Sequence, residues 1–92
     1  MATIHIPTPL RAYTDGKASV EVAGSTVGEA LTALTTAHGG LAKHLRDAEG
    51  RLRSFVNVYL GDEDIRYLQQ EATPLPADGE LTIVPSIAGG AR

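Results

Sequence analysis

The chain has no cysteine and no tryptophan, and only one phenylalanine and one methionine. Without a thiol it cannot act as a side-chain sulfur nucleophile, a redox relay or a persulfide carrier. Neither a disulfide nor a thiolate metal site can add to its stability. Positive charge is also scarce: the net charge is −3, which disfavours nonspecific binding to nucleic acid, because that affinity comes from Lys and Arg on phosphates. No basic stripe with interleaved aromatics is present. The cations Lys43, Arg46, Arg51 and Arg53 gather mid-chain, but Asp47 and Glu49 interrupt them, and a solvated loop is the simpler reading. No apolar run reaches membrane-spanning length, and the first residues lack the basic stretch and apolar run of a signal peptide. A cytoplasmic protein bound to neither membrane nor nucleic acid is expected, and nothing demands more than a monomer.

At 92 residues the chain is one small domain, burying about 60–65% of its unfolded surface. Its expected stability is about 5–14 kcal/mol, all of it from the core.

Thr3-Ile4-His5-Ile6 alternates polar and apolar residues, as a half-buried strand does, and then meets Pro7 and Pro9. Proline cannot donate to a sheet ladder, so a bulge, an edge or the strand's end is expected there. After a turn at Thr14-Asp15-Gly16, the alternation of Ala18, Val20 and Val22 predicts a second strand over 17–23, paired with the first as a hairpin. Thr26 and Glu29 have the spacing of a capping box. Val27, Ala30, Leu31 and Leu34 follow on one helical face. Gly39 reads as the terminator, with His38 in the last turn, and Leu41 and Leu45 predict one further short helical turn. Residues 55–60 form the clearest strand, with Val56, Val58 and Leu60 on one face. A turn over 61–64, a short strand over 65–68 and a Pro-containing loop over 72–79 precede the final strand, 80–84.

One amphipathic helix can cover one face of one sheet, so this order predicts an α+β two-layer fold. The β-grasp is the familiar solution: a mixed sheet of four to five strands on one main helix, with the first and last strands parallel at its centre and the helix as the crossover. A domain over 1–86 is expected, followed by a flexible tail over 87–92.

Few residues outside that tail suggest chemistry. His5, His38 and His44 are dispersed and lack the spacing of a helical zinc pair, and Asp62-Glu63-Asp64 lacks the other positions of a calcium loop. No metal site is expected. No nucleophile elbow, phosphate loop or dinucleotide fingerprint occurs, so no residue is assigned as catalytic. The ending Ile87-Ala88-Gly89-Gly90-Ala91-Arg92 differs in kind. A Gly-Gly pair has no side chain and can thread a narrow channel, although a frayed terminus is the simpler reading of the dipeptide alone.

The setting of that pair changes its meaning. Pro85-Ser86-Ile87-Ala88-Gly89-Gly90 follows a strand that begins Asp78-Gly79-Glu80-Leu81-Thr82-Ile83, Thr26-Val27 opens the helix, and Phe55-Val56-Asn57-Val58-Tyr59 precedes Asp62-Glu63-Asp64-Ile65-Arg66. Taken together, these segments resemble the ThiS/MoaD family of ubiquitin-like sulfur carriers, especially its CysO-type branch, which supplies sulfur for cysteine synthesis. The resemblance implies a carrier that binds no cofactor and is not itself an enzyme. An E1-like adenylating and sulfurtransferase enzyme would use ATP and a sulfur donor to convert the Gly90 carboxylate to an acyl adenylate and then a thiocarboxylate. Gly89 would keep the tail thin, and a sulfur-accepting synthase, such as a cysteine-synthase-like enzyme, would consume the product. Val84, Pro85, Ile87 and Ala88, beside the tail, are candidates for partner docking, with ordinary strand packing as the competing reading of Val84.

One departure from the family pattern is consequential. Ala91-Arg92 follows the diglycine, so the Gly90 carboxyl is held in a peptide bond. By the resemblance, a JAMM-type metallopeptidase would cut between Gly90 and Ala91. Two other functions remain open: a ubiquitin-like modifier joined to lysine through Gly90, and an interaction module with an inert tail, including a molybdopterin synthase small subunit.

Overall fold

The structure, a computed structural model, describes residues 1–53 and 56–85. The first strand, β1 (Ala2–His5), buries Ala2 and Ile4 and leaves Thr3 and His5 on the other side. It pairs antiparallel with β2 (Ser19–Val22), from Ala2 opposite Val22 to His5 opposite Ser19. The predicted hairpin is present, but its connection is longer than a turn. Pro7, with φ near −68°, ends the strand and leads into a 3-10 helix over Thr8–Thr14. Arg11 Nε donates to the Ile6 carbonyl, and the Thr14 hydroxyl donates to the Arg11 and Lys17 carbonyls at 3.2 and 2.9 Å. Asp15 and Gly16, both at positive φ, then reverse the chain. β2 is shorter than the predicted 17–23, because Lys17 is drawn into this turn through its N–H to the Thr14 carbonyl.

Helix α1 (Val27–Ala37) starts where the capping residues place it. The Thr26 hydroxyl accepts the Glu29 N–H at 3.2 Å. The reciprocal bond is displaced by one residue, since the Glu29 carboxylate accepts the Ser25 N–H at 2.8 Å and the Ser25 hydroxyl at 2.9 Å. These bonds, the backbone one foremost, hold the Glu29 carboxyl below its usual pKa. A carboxyl whose folded pKa is depressed contributes stability at pH above its unfolded pKa and loses that contribution as pH falls through the folded value. Replacing Glu29 with Gln is therefore expected to lower the melting temperature slightly at neutral pH and to flatten its decline below the ordinary glutamate range. Thermal melts of both proteins across that acid window check this.

Val27, Ala30, Leu31 and Leu34 are all fully buried. At the helix end His38 is the cap, its N–H donating to the Leu34 carbonyl. Gly39 follows that cap, as the terminator reading expects, but without a positive φ, and it opens a 3-10 turn over Gly39–Leu41. With the short helix α2 (Ala42–Leu45), that turn seats Leu41 and Leu45 in the core.

The remaining strands are β3 (Val56–Leu60), β4 (Glu63–Asp64) and β5 (Glu80–Pro85). The predicted strand over 65–68 is instead a 3-10 turn over Ile65–Tyr67, because the Asp64 carboxylate caps the Arg66 N–H at 2.9 Å and curls the chain. That curl buries Ile65 and leaves Tyr67 exposed.

The five strands lie in the order β2-β1-β5-β3-β4. β1 and β5 are parallel neighbours, with Thr3, Ile4 and His5 opposite Glu80, Leu81 and Thr82. Ile4, Leu81, Ile83 and Val58 from the sheet share one buried cluster with the inner side of α1. The α+β arrangement of the β-grasp is the one observed.

Candidate functional site at the root of the C-terminal segment

Strand β5 delivers the C-terminal segment, and two ladders hold it. On one side it pairs in parallel with β1 as far as Thr82, and on the other it runs antiparallel to β3 through Asn57 opposite Val84 and Val56 opposite Pro85. Alternation along the strand sends Leu81 and Ile83 into the core. Val84 points the other way and is 41% exposed, paired with Asn57 in the ladder. Pro85 is half-buried and closes the ladder. Of the other residues singled out from the sequence, Ile87, Ala88, Gly89, Gly90, Ala91 and Arg92 lie outside the described residues.

The face of the sheet turned away from α1 is polar around Val84. His5 and Glu80 meet across the parallel ladder, Nε2 to Oε1 at 2.7 Å, and both are exposed. The histidines sit on separate elements: His5 in β1, His38 capping α1, and His44 in α2 against the Tyr13 ring at 4.4 Å between centroids. Among the described residues no three His, Asp or Glu side chains are grouped so as to hold a metal ion, and no helix is long and apolar enough to cross a membrane.

Sequence reasoning missed a cavity of about 420 Å³ beside the start of β3. Its apolar lining comes from Leu52, Val56, Val58 and Ile65, and its cationic lining from Arg51, Arg53 and Arg66. The loop holding two of these arginines is ordered by bonds that no spacing rule would reveal. Asp47 spends one carboxylate oxygen on the N–H groups of Glu49 and Arg51, at 2.9 and 3.0 Å. Arg53 Nε donates to the Lys43 carbonyl at 2.8 Å, and Arg66 Nη2 donates to the Val56 carbonyl at 3.1 Å. Glu71, the carboxylate lining this cavity, is taken up by Arg46 through bonds of 2.8 and 3.2 Å. The mid-chain loop is exposed at Ala48, Glu49, Gly50 and Arg51, as the solvated-loop reading expects, while Arg46 and Arg53 are tied by hydrogen bonds and Arg51 and Arg53 line the cavity. The available signal was Arg51-Leu52-Arg53 directly before the clearest strand, an alternation that turns Leu52 inward between two charges.

Comparison with known proteins gives this geometry a family. The ThiS family profile matches residues 4–90. The sulfur carrier protein CysO of Mycobacterium tuberculosis is 39% identical over 90 residues, covering 96% of this chain and 97% of the relative. Among solved structures, the BexX/CysO complex of Amycolatopsis orientalis contains a chain 39% identical, with a TM-score of 0.88 and coverage of 98% of this chain and 100% of that one. The small archaeal modifier protein 1 of Haloferax volcanii is 30% identical, with a TM-score of 0.73 and coverage of 92% and 95%. The chain belongs to the ThiS family and is similar along nearly its whole length to sulfur carriers of the CysO kind.

Proposed function

We propose that this protein is a sulfur carrier whose reacting group is the backbone carboxyl of Gly90, exposed by removal of Ala91-Arg92. One observation carries the reading: the family match ends at Gly90 and leaves two residues beyond it. Hydrolysis of the Gly90–Ala91 bond by a JAMM-type metallopeptidase gives a free carboxylate. A carboxylate resists nucleophilic attack, because its charge and resonance oppose it, so an E1-like enzyme transfers AMP from ATP to it and releases pyrophosphate. A sulfur donor then attacks the acyl carbon, AMP departs, and a thiocarboxylate remains for a synthase to consume, in cysteine formation or in making a cofactor or specialised metabolite.

The chain's own contribution is presentation. From Ile87 to Gly90 an extended tail spans about 13 Å, enough to enter a partner's cleft while the domain stays outside. Val84, Pro85, Ile87 and Ala88 are the docking residues of this reading, and the exposed Val84 beside the tail root supports it. A complex between CysO and BexX among the similar structures supports a partner that grips the domain.

Intact-mass analysis tests the proposal. After incubation with host extract, ATP and a sulfide source, the expected species has lost Ala91-Arg92 and carries sulfur in place of one carboxyl oxygen. Persistence of the 92-residue mass while the carrier is active would refute it. The similarity to an archaeal modifier protein favours one second reading, conjugation of Gly90 to a lysine, which would appear in the same spectra as higher-mass adducts.

A further inference from the structure

The cavity between the Arg51-Leu52-Arg53 segment and the Ile65–Tyr67 turn is not used by the carrier chemistry above. We propose that it is an intramolecular dock for the mature tail: Ile87 rests on the apolar floor, and the terminal Gly90 carboxylate, or the thiocarboxylate formed from it, lies against the guanidinium groups of Arg51 and Arg53. This inference rests on the reading that Gly90 becomes the free terminus.

Position supports it first. Val56 lines the cavity and is also the residue opposite Pro85, the last residue of β5. The chain therefore leaves the fold one strand spacing, about 5 Å, from the cavity wall. Arg66 marks the same place, since it donates to the Val56 carbonyl. The five residues from Pro85 to Gly90 reach about 17 Å, against a largest molecular extent of 37 Å. The tail is long enough to reach the cavity.

Charge supports it next. The chain as a whole is negative, yet this cavity is positive. Its carboxylate, Glu71, is paired with Arg46, and among the described residues no carboxylate bridges Arg51 or Arg53. An anionic terminus suits such a place, because guanidinium groups bind carboxylates through paired, charge-assisted bonds. The apolar floor suits a single large aliphatic side chain, and Ile87 is the one larger than Ala in the tail. The ending also explains when docking would occur. In the uncut chain, Arg92 would bring a fourth guanidinium to the three already there, and like charges repel. Removing Ala91-Arg92 turns the segment after Pro85 from zwitterionic to anionic. The uncut segment, with its own carboxylate beside Arg92, offers the cavity no net charge, whereas cleavage leaves it anionic and held, and an activating partner must lift it out before the carboxylate can react.

The test compares the 92-residue chain with a chain made to end at Gly90, by NMR at low ionic strength. Making that end directly keeps the outcome independent of whether a peptidase exists, so failure of docking and failure of the carrier reading are separable. The Leu52 and Ile65 methyl signals and the Arg51 Nε–H signal are expected to shift in the Gly90-ended chain only. Salt at about 1 M, where screening acts within about 3 Å, should reverse the shifts, and Arg51→Glu, at an exposed side chain, should remove them. Identical spectra at these positions in the two chains would overturn the proposal. So would shifts that grow with protein concentration, which would assign the dock to a second copy's tail, or shifts indifferent to salt and to Arg51→Glu.

Discussion

A chain ending at Gly89 is expected to lose sulfur transfer by about a hundredfold or more, while a chain ending at Gly90 becomes fully competent without any peptidase. The two differ by one residue without a side chain, so every side chain and the net charge are the same. What differs is reach. β5 is held by β1 as far as Thr82 and by β3 up to Pro85, and the distance from that fixed point to the reacting carbon is set by the number of residues that follow. Removing one retracts the carboxyl by about 3.5 Å, and misplacing a reacting atom by even about 1 Å can cost about a hundredfold. The buried core ends at Ile83, so both variants should melt as the parent does. Steady-state formation of the thiocarboxylate by the activating enzyme, with melting curves alongside, checks both halves.

Two adjacent residues of β5 should give opposite results. Ile83 is 1% exposed and belongs to the cluster beneath α1. Truncation to Ala would leave a cavity that costs about 2–5 kcal/mol, a large share of the stability of a domain this size. At about 4–8 °C per kcal/mol for a small domain, a fall of at least about 8 °C in Tm is expected. Val84→Asp places a charge on the open face, where Val84 is 41% exposed and outside the buried core, so Tm should fall far less than for Ile83→Ala. If that face is the partner's grip, KM for the carrier should rise about tenfold or more with kcat unchanged, as loss of a central apolar anchor costs more than about 1 kcal/mol. Melting and carrier-dependent kinetics on the two variants read both effects. A large kinetic defect in Val84→Asp with intact Tm would separate docking from folding. An unaltered KM would remove Val84 from the interface.

The sequence carried the fold wherever a single periodicity governed a segment. The alternation in β1, β3 and β5 and the helical face of Val27, Ala30, Leu31 and Leu34 were readable because burial on one face writes that pattern directly. It failed where a side chain overrode the local pattern. Asp64 caps a turn that propensity reads as a strand, Lys17 is held in a turn that clips β2, and Thr14 anchors a 3-10 helix over Thr8–Thr14 that the sequence reading did not assign. The site divided in the same way. The tail could be singled out because the diglycine is a local feature of the chain, whereas the arginine cluster depends on residues 51, 53 and 66 being brought together across β3 and on Glu71 being taken by Arg46. No spacing in the sequence encodes that pairing.

The placement of β5 has a mechanical consequence. A partner that draws the tail into its channel pulls along the axis of a strand bonded on both edges, to β1 in parallel and to β3 antiparallel. Such a load falls in shear on many backbone hydrogen bonds at once and does not peel them one at a time from an edge. On the carrier reading proposed above, the domain would serve as a stopper: a partner could thread and tug the tail while the body behind it keeps its shape.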